Sequence, residues 1–178
     1  KSMIVDTLVN VFAEVDEINF FNAEDAQSAR LRGAKILLAE DNEINQQIAV
    51  ELLEGTGATV RVANNGREAV EILTDGPQPP PFDAVLMDLQ MPEMDGYQAT
   101  AKLRADARFA SLPIIAMTAH ATIKARQRCL TSGMNAHISK PIDPENLFET
   151  VARFYRPAHS APPAKTAGPV TGSQAGEL

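Results

Sequence analysis

In this sequence five side chains of complementary chemistry each stand at the end of a short apolar run. Glu40 and Asp41 follow Lys35–Ala39, and Asp88 follows Ala84–Met87. Thr118 follows Ile114–Met117, and Lys140 comes just after Ala136–Ile138 with Pro141 behind it. An acidic residue after a strand is often just a helix cap, and a Lys before Pro is often just a loop residue. No member of the set carries an argument alone. Gathered on one rim, however, three carboxylates repel one another and need a cation. Oxygen ligands with no nearby Cys or His point to Mg²⁺ or a similar hard ion rather than zinc. Mg²⁺ prefers one or two carboxylates, waters and a phosphate, so the substrate is expected to carry phosphate.

Gathering them requires a particular scaffold. Short apolar runs at Lys35–Ala39, Thr59–Val62, Ala84–Met87, Ile114–Met117 and Ala136–Ile138 read as strands. Helical patterns lie between and after them. Ile44, Ile48 and Leu52 recur every four residues, and Gly66, Ala69, Val70 and Leu73 follow the i, i+3, i+4, i+7 spacing of one helix face. Tyr97–Arg104, Thr122–Leu130 and Pro144–Tyr155 also read as helices. Asn65, Asp95 and Asp143 are placed to cap helix starts, the last with Pro144 at the first helical position. Gly55 and Gly133 stand where helices should end. A strand-helix unit repeated five times implies right-handed crossovers and a parallel sheet covered on both faces. The expected fold is a flavodoxin-like, doubly wound α/β domain with strand order 2-1-3-4-5, whose ligands gather at the carboxyl ends of the strands.

Composition narrows the function. A chain of 178 residues holds one ordinary core plus flanks. Sixteen Lys and Arg against 23 Asp and Glu give a charge of −7, which leaves no basic excess for a nucleic-acid backbone. The single Cys129 excludes an internal disulfide framework and a Cys-based zinc site. No apolar run approaches the ~20 residues of a membrane helix. The expected compartment is the cytoplasm, with a parent protein that can be anchored in the inner membrane. The chain opens at Lys1 in what reads as mid-protein, so a fragment of something larger is expected. The domain is expected over residues 34–157. Residues 22–33 read as a linker, and residues 158–178, mostly Ala, Pro, Gly, Ser and Thr, as a disordered tail or linker.

The middle region resembles the receiver domain of two-component signalling proteins, most nearly the receivers of hybrid sensor histidine kinases. The matching words are Ile36-Leu-Leu-Ala-Glu-Asp-Asn-Glu-Ile-Asn-Gln-Gln, Ala63-Asn-Asn-Gly-Arg-Glu-Ala, Leu86-Met-Asp-Leu-Gln-Met-Pro-Glu-Met-Asp-Gly-Tyr, Ile114-Ile-Ala-Met-Thr-Ala-His and His137-Ile-Ser-Lys-Pro-Ile, in the right order and spacing. The resemblance implies that Asp88 accepts a phosphoryl group from a partner's phosphohistidine. It implies that Glu40, Asp41, Asp88 and the backbone carbonyl of Gln90 hold Mg²⁺. Thr118 would hydrogen-bond a phosphoryl oxygen, and Lys140 would pair with Asp88 at rest and with the phosphoryl group afterwards. The Lys140–Pro141 bond is expected to be cis, at modest cost. The implied partners are the phosphohistidine (dimerisation) domain of a histidine kinase and a histidine phosphotransfer domain, with no nucleic acid and no direct membrane contact.

Secondary signals are weaker. Many family members carry an aromatic switch residue where this chain has His137. Its two readings, a switch or a strand histidine without a signalling role, stay open. Gln90 and His120, two residues beyond Asp88 and Thr118, read either as tuners of dephosphorylation or as polar rim side chains. Cys129 reads as a packing or surface residue, and Pro77–Phe82 as a stiff loop on the opposite rim. Residues 1–21 read as a helix. Lys1–Leu8 aligns with Lys140–Leu147, so the segment is either the closing helix of a preceding receiver-like domain or a generic amphipathic helix.

The alternative function is a receiver-shaped binding module that is never phosphorylated. Such modules usually lose an acidic residue, the Lys or the Thr, and none is lost here. An aspartyl phosphatase would need a second Asp where Gln90 stands. A flavodoxin would need a Ser/Thr/Gly phosphate loop where Glu40-Asp41 stands.

Overall fold

The computed structural model describes residues 30–120 and 122–156. The expectations for residues 1–21 and 158–178 lie outside them. Five strands, β1 (Lys35–Ala39), β2 (Thr59–Ala63), β3 (Ala84–Asp88), β4 (Ile114–Thr118) and β5 (Ala136–Ser139), form one parallel sheet in the order β2-β1-β3-β4-β5. Helices α1 (Glu43–Gly55), α2 (Gly66–Asp75), α3 (Gly96–Ala105), α4 (Ile123–Thr131) and α5 (Pro144–Phe154) connect and close them. This is the strand order and the doubly wound arrangement expected from the sequence.

The central strands β3 and β4 are buried along their whole length, as continuous apolar runs in a two-sided sheet must be. Alternate residues feed two cores. Leu37, Val85, Met87 and Ile114 pack with Leu73 of α2, Leu103 of α3 and Phe109 on one face. Ile36, Leu38, Leu86 and Ile115 pack with Leu53 of α1 and Leu147 and Val151 of α5 on the other.

The helix starts carry the caps that the sequence announces. Asn65, Asp95 and Asp143 accept backbone N–H bonds at the starts of α2, α3 and α5. Asp95 forms a reciprocal capping box with Gln98. Gly133 follows the end of α4 at φ 93°, a conformation that suits a residue without Cβ.

Two details differ from the sequence reading. The segment read as a linker contributes Leu31 to the core, fully buried, and Gly33 N–H bonds Gly57 O at 2.9 Å, so the packed unit reaches back before Ala34. In α1 the repeat Ile44, Ile48, Leu52 is helical, but the buried positions are Ala49 and Leu53. Ile44 and Ile48 are 68% and 46% exposed. The four-residue spacing identifies a helix without fixing which flank of its stripe meets the sheet.

Candidate functional site

Strand register alone brings the chemistry together. Ala39 is level with Met87, Asp88 with Met117, and Thr118 with Ser139. Glu40, Asp88, Thr118 and Lys140 therefore all emerge at the carboxyl edge of the sheet. Backbone bonds hold that edge together: Glu40 N–H donates to Ala63 O at 3.1 Å, Leu89 N–H to Met117 O at 3.1 Å, and Lys140 N–H to Thr118 O at 2.8 Å. Gly96 lets α3 start against the end of β3, because a Cβ there would run into the Asp88 carbonyl oxygen. The Lys140–Pro141 peptide is cis, and so is Gln78–Pro79.

Carboxylate oxygens of Glu40, Asp41 and Asp88 lie within 4.8 Å of one another. Glu40 is 1% exposed and Asp88 5%, whereas Asp41 is open to solvent. Lys140 bridges the two buried acids: its Nζ donates to Glu40 Oε2 at 2.6 Å and to Asp88 Oδ2 at 2.8 Å. Asn45 Nδ2 and the Asn42 N–H donate to Glu40 Oε1 at 3.3 and 3.2 Å, and the Gln90 N–H donates to Asp88 Oδ1 at 3.2 Å. Burial works to lower the Lys140 ammonium pKa, but the hydrogen bonds to Asp88 and Glu40 and their charge outweigh it, so it ends above its ordinary value. Three carboxylates against one ammonium leave two formal negative charges, and those oxygens suit a hard divalent cation.

Thr118 sits across the site. Its hydroxyl donates to His120 O at 3.2 Å and accepts from His120 N–H at 3.0 Å, a closed local turn. His120 and Gln90 line the same cavity, about 690 Å³, together with the acidic residues, Thr118 and Lys140. His137 stands apart, on β5. Arg126 Nε donates to its Nε2 at 3.3 Å, so that nitrogen is unprotonated. Burial, then the Arg126 charge, holds the His137 imidazole below its usual pKa.

The structure adds residues that the sequence reading missed. Tyr97, Lys124 and Arg128 line the same cavity, with the Arg128 guanidinium 4.3 Å from the centre of the Tyr97 ring. Tyr97 Oη also lies 3.9 Å from Sγ of the buried Cys129. The i, i+4 spacing of Lys124 and Arg128 is visible on α4, but the contact of Arg128 with Tyr97 of α3 is not. A salt bridge between Arg67 and Glu93 ties α2 to the loop after β3, where Glu93 adopts φ 64°.

Comparison with known proteins gives one consistent answer. The family model described as "Response regulator receiver domain" matches residues 36–152. Histidine kinase 3 and Histidine kinase 2 of Arabidopsis thaliana are 36% identical over 145 residues and 37% identical over 147 residues. These alignments cover 70% and 71% of this chain but only 14% and 12% of the relatives' own length. The receiver domain of a sensor histidine kinase from Pseudomonas aeruginosa, solved with a magnesium ion coordinated in its active site cleft, is 37% identical with a TM-score of 0.62. That match covers 68% of this chain and 97% of the other. A co-crystal structure of the Saccharomyces cerevisiae histidine phosphotransfer protein Ypd1 with the receiver domain of Ssk1 matches at 27% identity and a TM-score of 0.62, over 70% of this chain and 90% of that one. Among the described residues no helix is long and apolar enough to cross a membrane.

Proposed function

The chain belongs to the response regulator receiver domain family, and from that premise we propose that it accepts a phosphoryl group on Asp88 from a phosphohistidine, as the receiver of a hybrid histidine kinase in a cytoplasmic phosphorelay. The observation that carries this reading is the buried Asp88 carboxylate, held by Lys140 beside Glu40 and Asp41 at the carboxyl edge of the sheet.

The acidic residues fit a divalent cation. Glu40, Asp41, Asp88 and the Gln90 carbonyl would hold Mg²⁺, which when bound offsets the charge of the carboxylates and of an incoming phosphoryl group. The chain's own groups do the rest. An Asp88 carboxylate oxygen forms the new P–O bond as the donor's P–N bond breaks. The imidazole leaves as a neutral base when its other nitrogen carries the proton. A carboxylate suffices as nucleophile because the transition state is loose and asks mainly for positioning and charge stabilisation. Lys140 exchanges its contact with Asp88 for one with the phosphoryl group. Thr118 leaves its turn with His120 and donates its hydroxyl to a phosphoryl oxygen. Gln90 and His120 flank the path of a hydrolytic water and tune how long the phosphoryl group lasts. His137 communicates the change along β5.

The donor is a kinase's phosphohistidine domain and the acceptor a histidine phosphotransfer domain. A recognition surface for both is at hand: exposed Ile44 and Ile48 on α1, with Ile48 sharing a small hollow with Lys140, Pro141 and Ile142 at the mouth of the site.

Backbone amide NMR tests the reading. Mg²⁺ should shift amides near Glu40, Asp41 and Gln90. Beryllofluoride, a phosphoryl mimic, should then shift Thr118, His137 and Lys140, only with Mg²⁺ and only with Asp88 intact, Asp88→Asn being the control. A folded sample silent to both additions would leave a binding module shaped like a receiver.

A further inference from the structure

The site cavity is larger than one ion and one phosphoryl group fill, and two cations of α4 line it beside the acidic cluster. At about 690 Å³ it is an open cleft with room for more than the reacting groups. Glu40, Asp41, Asp88 and Lys140 form one end. Tyr97, Lys124 and Arg128 also line the cavity, as does Asp95, the cap of α3. The salt bridges among the described residues engage Arg67, Arg108 and Lys140, and leave Lys124 and Arg128 without an anionic partner.

Both are set on one face of α4 by their i, i+4 spacing, and α4 carries no acidic residue along its whole length. Lys124 even occupies the first turn, where the helix dipole favours an anion. Arg128 is also held in place. Its guanidinium carbon lies 4.3 Å from the centre of the Tyr97 ring, a cation–π contact. A guanidinium set against an aromatic ring, with an ammonium one turn away, matches a carboxylate.

We propose that Lys124 and Arg128 bind an acidic side chain that flanks the donor's phosphohistidine, so that the α4 wall selects phosphodonors by the charge beside the reacting histidine. The inference rests on the reading of Asp88 as phosphoacceptor. An acidic peptide fits better than the phosphoryl group itself, because Lys140 already stands at Asp88 to meet that group. The acidic cluster repels a carboxylate and the α4 cations attract it, so the cavity also orients the donor.

The test uses this chain with Mg²⁺ and two synthetic phosphohistidine peptides, one with Glu on both sides of the histidine and one with Gln there. Phosphoramidate, which carries no peptide, reports separately on whether Asp88 is phosphorylated at all. The wild-type chain should take phosphate from the Glu peptide about five- to tenfold faster than from the Gln peptide at low salt, the advantage shrinking as salt rises. In Lys124→Gln/Arg128→Gln the ratio of the two rates should fall to about one. Arg128→Lys, which keeps the charge and loses the planar fork, should give an intermediate ratio. Equal rates from the two peptides in a wild-type chain that phosphoramidate does phosphorylate would overturn the α4 assignment alone. So would a ratio that survives the double substitution. No labelling of the wild-type chain by phosphoramidate would overturn the reading of Asp88, and this inference with it.

Discussion

The two ends of the sheet make opposite use of charge. At the end where the strands begin, one arginine is consumed by structure. Arg104 donates to Gly133 O at 2.8 Å, Phe109 O at 2.6 Å, Leu112 O at 2.9 Å and Asn135 Oδ1 at 2.9 Å. Asn135 in turn accepts from Ile114 N–H at 2.9 Å, so a single guanidinium ties α3, the turn after it and the entries to β4 and β5. At the end where the strands finish, hydrogen bonds are also made, but the charge of the acidic cluster does not balance: three carboxylates lie together and one ammonium bonds two of them. The lesson is that a folding unit neutralises or satisfies its polar groups where nothing binds, and leaves an excess where something must. That excess should cost stability that a bound cation would offset.

The comparison can be broken at either end. The largest effect is expected from Arg104→Ala, which removes four hydrogen bonds, although Asn135 Oδ1 keeps the Ile114 N–H and Phe109 O the Leu112 N–H; it should cost about 3 kcal/mol in a urea melt and leave the Mg²⁺-induced amide shifts near Asp41 in place. Lys140→Ala should cost about 2 kcal/mol, less than a fully buried pair because the lysine keeps some exposure, by leaving Glu40 and Asp88 facing each other. The contribution of Lys140 should be complete below pH 10.5 and fade as pH rises through its raised pKa. Asp88→Asn should move the other way and stabilise the metal-free domain by about 1 kcal/mol while abolishing phosphorylation, because it relieves a self-repelling cluster. Opposite signs for the last two substitutions would sharpen the contrast; a loss from both would break it.

The smallest effect concerns His137. Its neutral form is favoured first by burial and then by Arg126, and Arg153 of α5 lines the same hollow. A depressed histidine pKa gives stability that is present above about pH 6.5 and lost as pH falls through the folded value. Imidazole proton NMR should find His137 titrating below 6.5, and Arg126→Gln should raise the midpoint only part of the way, since burial remains.

Much of this was legible in the chain. Strand-helix alternation and the position of polar residues after apolar runs placed Glu40, Asp88, Thr118 and Lys140 on one edge, because parallel register converts sequence position into spatial level. Helix caps at Asn65, Asp95 and Asp143 were equally readable, being local. What was not legible depends on packing between elements distant in sequence. Periodicity marked α1 as a helix yet could not say that Ala49 and Leu53, not Ile44 and Ile48, meet the sheet. Nothing local told Arg104, a hydrogen-bonding keystone, from an ordinary helix-surface arginine. The Tyr97–Arg128 contact joins residues on two helices whose approach only the fold decides. Leu31 looked like part of a polar linker, because one apolar residue among polar neighbours carries no period.

The central claim is that the carboxyl edge holds surplus negative charge intended for a cation. The most direct measurement is the thermal unfolding midpoint of the wild-type chain and of Asp88→Asn, each with and without Mg²⁺ at constant ionic strength. The account predicts that Asp88→Asn starts higher than wild type without Mg²⁺, and that Mg²⁺ raises the wild-type midpoint more than that of the variant. A wild-type midpoint indifferent to Mg²⁺, or a variant that starts lower, would contradict it.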